Sequence, residues 1–229
     1  MYRATLGKLV VITGPDGVGK STQCRILSQI ISPIEVFSFP AIDTTPGMVL
    51  KYVLQHGIVQ DPYLIQRLNA LSRLKKREEI LKALTRSLVL CDRYSSDGLV
   101  YGLAGGCDRN WLDKLRSTDL REDLTICLLG KGRRDGGDLY DRDDKLQARV
   151  AELYHSLAET EGWIVVDSNK PVDEVTELPS LVQRRCSRPI RKRTGLSLLP
   201  RTRPGFPGLH YEARSHYVRH LQIGFRSRG

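Results

Sequence analysis

Short runs of consecutive apolar residues alternate along this chain with stretches that repeat apolar positions every three or four residues. "KLVVIT" (8–13), "IEVFSF" (34–39), "SLVLCD" (87–92), "DLTICLLG" (123–130) and "WIVVD" (163–167) read as five strands. Helical spacing fits 20–31, where Cys24, Leu27 and Ile31 share a face. It also fits 45–57, ending at Gly57, then 61–86, opened by Asp61-Pro62, and 145–161. A short helix is expected over 172–182. This alternation predicts an α/β fold: a doubly wound, five-stranded parallel sheet with flanking helices.

The pattern stops near residue 183. Residues 184–229 hold four prolines and no clean period. The chain is therefore read as a domain over 1–183 and a basic C-terminal extension over 184–229, expected to be poorly ordered. The formal charge of +10 follows this division. The extension carries 12 Lys/Arg and one acid (Glu212), a net of +11, which leaves 24 bases against 25 acids in the rest. Contact with nucleic acid is thus expected only through the extension, where "RRCSRPIRKR" (184–193) also suits nuclear import. Five scattered cysteines without a CxxC pair suggest neither a zinc site nor a disulfide framework, and point to a reducing, cytoplasmic setting. No run of about 18 apolar residues predicts a membrane span.

The chemistry concentrates in "GPDGVGKSTQ", Gly14 to Gln23. Gly14-x-x-x-x-Gly19-Lys20-Ser21 has P-loop spacing and lies between a predicted strand and a predicted helix. Gly14, Gly17 and Gly19 let backbone N–H groups turn towards phosphate oxygens, and the helix starting at Lys20, Ser21 and Thr22 adds its positive end. Lys20 can reach the outer phosphates of ATP, and Ser21 can ligate Mg²⁺. Asp16 is unusual there, because an acid inside a phosphate cradle repels the ligand unless it points elsewhere. Asp92 ends a strand, where open α/β sheets place ligand-binding groups, and is a second candidate for Mg²⁺. Arg93 beside it offers a fork suited to a phosphate. No "NKxD" follows, which argues against a GTPase.

Together with the loop, "FP" at Phe39-Pro40, "LSR" ending at Arg73, "DRY" at 92–94 with Gly98 and Tyr101, and "LYD" at 139–141 resemble the thymidylate kinases in order and spacing, over about residues 7–180. The resemblance implies a P-loop kinase that transfers a phosphoryl group from Mg-ATP to dTMP, commonly as a homodimer. By position, Asp16 is implied to meet the acceptor's sugar and phosphate region, and Arg93 its phosphate. Arg73 is implied to hydrogen-bond the thymine, with Gly98 letting the base approach the backbone. Tyr101 and Tyr140 would line the pocket, and Phe39-Pro40 would form its floor. Residues 130–144, "GKGRRDGGDLYDRDD", correspond to the lid. Thymidylate kinases supply a catalytic arginine from the P-loop or from the lid. Gly17 stands at the relevant loop position here, so Arg133 or Arg134 is expected to serve, with Arg142 also present.

Three positions depart from the family. Ile42 stands near where an arginine follows "FP", Asn69 where an aromatic stacks on thymine, and Leu139 where an arginine precedes the lid tyrosine. Two rivals follow from them. One is a deoxynucleoside or deoxynucleoside monophosphate kinase of broader acceptor choice. The other is a catalytically impaired P-loop protein acting through its basic tail.

Overall fold

The apolar runs pair as expected. In the computed structural model, which describes residues 2–3, 6–132, 143–169 and 177–186, the chain begins with β1 (Tyr2–Arg3), β2 (Leu9–Thr13), α1 (Lys20–Ile30), β3 (Ile31–Ser32) and β4 (Ile34–Ser38). It continues with α2 (Thr45–His56), α3 (Pro62–Leu84), β5 (Leu88–Asp92), α4 (Ser95–Ala104) and α5 (Arg109–Arg116). Next come β6 (Leu124–Leu129), α6 (Asp144–Thr160), β7 (Ile164–Asp167) and α7 (Glu177–Cys186). The main sheet is parallel throughout, in the order β4-β5-β2-β6-β7, and β1 pairs separately with β3.

Both faces of the sheet are covered, which is why its central strands are apolar at successive positions. Val10, Ile12, Leu88, Leu90, Ile126 and Leu128 pack with Cys24 and Leu27 of α1 and with Leu178, Val182 and Cys186 of α7. The alternate residues face the other way. Leu9, Val11, Val89 and Cys91 meet Phe39 and Ile80, and Cys127 and Leu129 meet Leu99, Val150 and Tyr154. The start of α3 follows its sequence signal: the Asp61 carboxylate accepts from Tyr63 N at 2.9 Å, with Pro62 at the first helical position.

Two helices have no counterpart in the sequence pattern. Nine of the ten residues of α4 are buried, so no polar face marks it as a helix. With eight residues, α5 is too short to stand out. The last helix also shifts. It was expected over 172–182 with the domain ending at 183, but α7 runs to Cys186, and Leu178, Val182 and Cys186 are buried in the core. The first two arginines of the basic run, Arg184 and Arg185, therefore belong to this helix. Residues 187–229 lie outside the described residues. All five cysteines are buried and unpaired, and no described helix is long and apolar enough to cross a membrane.

Candidate active site

The carboxyl ends of β2, β4 and β5 lie side by side, with Ile12 opposite Asp92 and Ser38 opposite Asp92 in the ladders. The loops that leave these ends build the site, as the topology of an open parallel sheet requires. The first is the phosphate loop. Gly14 has φ 139°, and a Cβ there would lie 2.2 Å from the Leu128 carbonyl oxygen, so no other residue fits. At the start of α1, Gly19 has φ 94°, no side chain caps the helix, and no acid stands in its first turn. The positive end of α1 is therefore left for an anion.

Lys20 Nζ donates to the carbonyls of Gly14 at 2.9 Å and Pro15 at 2.5 Å, and lies 3.8 Å from Asp16. Burial, followed by repulsion from Arg93, pushes its pKa down to about 8. Next in sequence, Ser21 Oγ donates to Asp92 Oδ2 at 2.5 Å, while Asp92 Oδ1 is buried without a partner among the described residues. A hydroxyl beside a carboxylate with an unsatisfied oxygen is a hard-oxygen donor set that fits Mg²⁺. Among the described residues, no group of three His, Cys, Asp or Glu could hold a metal by themselves. An ion here would thus share its coordination with phosphate oxygens. Thr22, also assigned to this loop, is exposed on α1.

Arg93 adopts the left-handed conformation, with φ 63°, and its N–H donates to the Ile12 carbonyl at 2.9 Å. A non-glycine residue persists there only where its surroundings over-determine it. Its guanidinium bridges two carboxylates. Nη2 donates to Asp16, and Nη1 donates to Asp97 at 3.0 Å. Tyr101 OH also donates to Asp16. Burial alone would raise the Asp16 pKa, but Arg93 and Lys20 outweigh it and hold the carboxyl below its usual range. Burial, helped by Asp16, pushes the Tyr101 phenol up and keeps it a donor. Asp16 thus points out of the phosphate loop towards Arg93 and Tyr101, which explains an acid among the glycines.

These groups open onto a pocket of about 120 Å³. Phe39, Pro40, Leu50, Leu54 and Ile65 form its apolar wall, while Asp16, Arg93, Asp97, Tyr101, Gln66 and Asn69 supply the polar side. The Phe39 ring meets Tyr94 edge-on, with centroids 5.3 Å apart. Arg73 does not line this pocket. Its Nε donates to both carboxylate oxygens of Asp119, at 3.0 and 3.1 Å, and its Nη1 is buried without a partner among the described residues. Gly98 sits beside it: a Cβ there would lie 3.3 Å from Arg73 Nη1 and 3.3 Å from Gln66 Oε1. A larger hollow of about 930 Å³, flanked by Asp123, Glu161 and Arg185, opens at the amino ends of β6 and β7 and contains none of these groups.

Gly132 touches the phosphate loop from above, since a Cβ there would lie 2.0 Å from the Asp16 carbonyl oxygen. Arg133, Arg134, Leu139, Tyr140 and Arg142 lie outside the described residues. Gln66, Asp97 and Tyr154 belong to the site or its support without any motif to announce them. The only sequence signal was positional: Asp97 lies five residues after Asp92, and Gln66 seven before Arg73.

The thymidylate kinase family model matches residues 12–178. The chain belongs to the thymidylate kinase family. It is 27% identical to a thymidylate kinase from Dictyostelium discoideum over 183 residues, covering 74% of this chain and 82% of that one. A thymidylate kinase from Arabidopsis thaliana is 30% identical over 182 residues, with coverage of 74% and 68%. Among solved structures, a thymidylate kinase from Candida albicans superposes with a TM-score of 0.70 at 25% identity, covering 78% of this chain and 92% of that one. Membership makes this chain a nucleoside monophosphate kinase that phosphorylates dTMP at the expense of ATP. Nothing favours either of the two rivals.

Proposed function

We propose that the two sides of the phosphate loop serve the two substrates. The observation that carries this reading is the position of Asp16, which sits in the donor loop yet faces Arg93, Tyr101 and the pocket. On the donor side, Gly14, Gly17 and Gly19 cradle ATP, Lys20 turns to its outer phosphates, and Ser21 with Asp92 holds Mg²⁺. The ion supplies charge neutralisation across the phosphates. On the acceptor side, Arg93 binds the phosphate of dTMP, Asp16 and Tyr101 meet its sugar region, and Phe39 with Pro40 lines the base. Gln66, which lines the pocket, offers a hydrogen bond to the base edge, and Arg73, held by Asp119, backs it from beneath Gly98. Gly98 leaves the room these two side chains occupy. The acceptor is already a phosphate, so positioning and charge carry the reaction, without a covalent intermediate. Arg133 or Arg134, next in sequence to Gly132, is proposed to supply the additional cation, and Tyr140 to cover the nucleotide, as the family resemblance implies.

The deciding experiment is an acceptor panel with Mg-ATP. dTMP is expected to have the highest kcat/KM among dTMP, dCMP, dGMP, dAMP and thymidine. Thymidine or dCMP outperforming it would overturn the assignment.

The depressed Lys20 pKa carries its own prediction. Free Lys20 is largely neutral at pH 8.5, and triphosphate raises its pKa, so binding draws in a proton. Calorimetry in two buffers at pH 8.5 should show uptake of roughly half a proton or more per ATP. Uptake should grow between pH 7.5 and 9 and vanish in Lys20→Arg, whose side chain is always charged. Equal uptake in both proteins would remove Lys20 from the phosphate site.

A homodimer is also proposed. Leu64, Leu71, Leu74 and Leu81 on α3, spaced by seven, three and seven, are exposed, as are Met48, Val49 and Tyr52 on the adjoining α2. An apolar face of this kind suits a second copy of the chain. The protein should run as a dimer by light scattering, and Leu71→Glu combined with Leu74→Glu should make it a monomer. A wild-type monomer at tens of micromolar would refute the interface.

A further inference from the structure

Asp97 lies 4% exposed at the start of α4 and receives five donors. Its Oδ1 accepts from Arg93 Nη1 at 3.0 Å and from Tyr154 OH at 2.8 Å. Its Oδ2 accepts from Thr13 Oγ1 at 2.9 Å, Tyr94 N at 3.2 Å and Ser96 Oγ at 3.4 Å. Thr13 and Tyr154 are both fully buried, and their oxygens lie 3.3 Å apart. Thr13 ends β2 just before the phosphate loop, and Tyr154 comes from α6, so three separate elements converge on one carboxylate.

Only one of the five donors, Arg93, carries charge. The other four fix the direction of the carboxylate without neutralising it, so its charge is left for the guanidinium. Arg93 in turn divides its amino groups: Nη1 goes to Asp97 and Nη2 to Asp16; both carboxylates line the pocket, but the Asp16 side chain is 20% exposed and that of Asp97 5%. An incoming phosphate can replace Asp16. Asp97 also lines the pocket, but displacing it would break its bonds to Thr13 and Tyr154.

We infer that Asp97, held by Thr13 and Tyr154, is the positioning residue for Arg93, a fixed anchor that keeps the guanidinium in place while the acceptor phosphate displaces Asp16. This inference rests on Arg93 being the acceptor-phosphate ligand. Asp97 acts on the acceptor through Arg93.

The test is a double-mutant cycle in the full chain, read as kcat/KM for dTMP with Mg-ATP. Asp97→Asn is expected to lower kcat/KM by roughly tenfold or more in the wild-type background, and by less than about twofold in the Arg93→Ala background, because its effect passes through Arg93. A purely structural role would cost the same factor in both backgrounds, and that outcome overturns the inference. So does an Asp97→Asn effect within about twofold in the wild type. Tyr154→Phe, which removes one hydroxyl and keeps the carboxylate, should lose about threefold or more, again only where Arg93 is present. If Asp97→Asn shows no cooperative melt, the Tyr154→Phe cycle decides alone, and equal losses in both backgrounds overturn the inference. Failure of the underlying reading looks different: Arg93→Ala by itself would leave the dTMP KM unchanged.

Discussion

Replacing Lys20 with alanine is expected to lower kcat by about 10²–10³, the usual cost of removing one preorganised charge from a transferring group. Affinity for dTMP should stay within about twofold, because Lys20 serves the donor phosphates and does not line the acceptor pocket. In the free protein, Lys20 is almost completely buried and its Nζ is tied to the Gly14 and Pro15 carbonyls. Alanine therefore also removes two bonds that shape the loop, and the KM for ATP should rise as well. Steady-state kinetics, together with a dTMP titration in the absence of ATP, separates the two sides. An equal loss of dTMP affinity would contradict the division of the loop between donor and acceptor.

Replacing Arg93 with alanine should act on the other side, raising the KM for dTMP by about 10–100-fold. That range corresponds to about 1.5–3 kcal/mol for a lost hydrogen bond between charged groups. The KM for ATP should move less than about threefold. Arg93→Lys should recover only part of the loss, since an ammonium cannot hold Asp97 and a phosphate through two separate amino groups. Thermal stability should also fall in Arg93→Ala, because Asp97 is left a buried carboxylate with neutral donors only. Unchanged dTMP kinetics would mean that the Arg93–Asp16 pair is structural.

Much of the molecule was legible from local signals. Each strand of the main sheet came from a short apolar-rich run, interrupted by Glu35 in β4 and Thr125 in β6, and α3 from a cap and a proline at its start. The phosphate loop was legible because backbone geometry forces glycine at Gly14 and Gly19. The failures share a cause. Burial on every side gives α4 no polar face, so periodicity is silent there. The last turn of α7 was cut short because Arg184 and Arg185 read as the start of a basic run, while Cys186 beside them faces the core. Asp97 carried no motif to mark it, because its meaning depends on Thr13 and Tyr154, 84 and 57 positions away.

By itself, the sequence determined the α/β class, the donor loop and the resemblance to thymidylate kinases. The class and the loop depend on spacing within a few residues, and the resemblance on the order of short motifs along the chain, all of which the chain states directly. The tertiary structure decided the strand order, the pairing of Arg73 with Asp119, and the division of Arg93 between Asp16 and Asp97. Hydrogen bonds and Coulomb forces act through space over a few ångströms, so which charges meet is settled only once distant segments pack together.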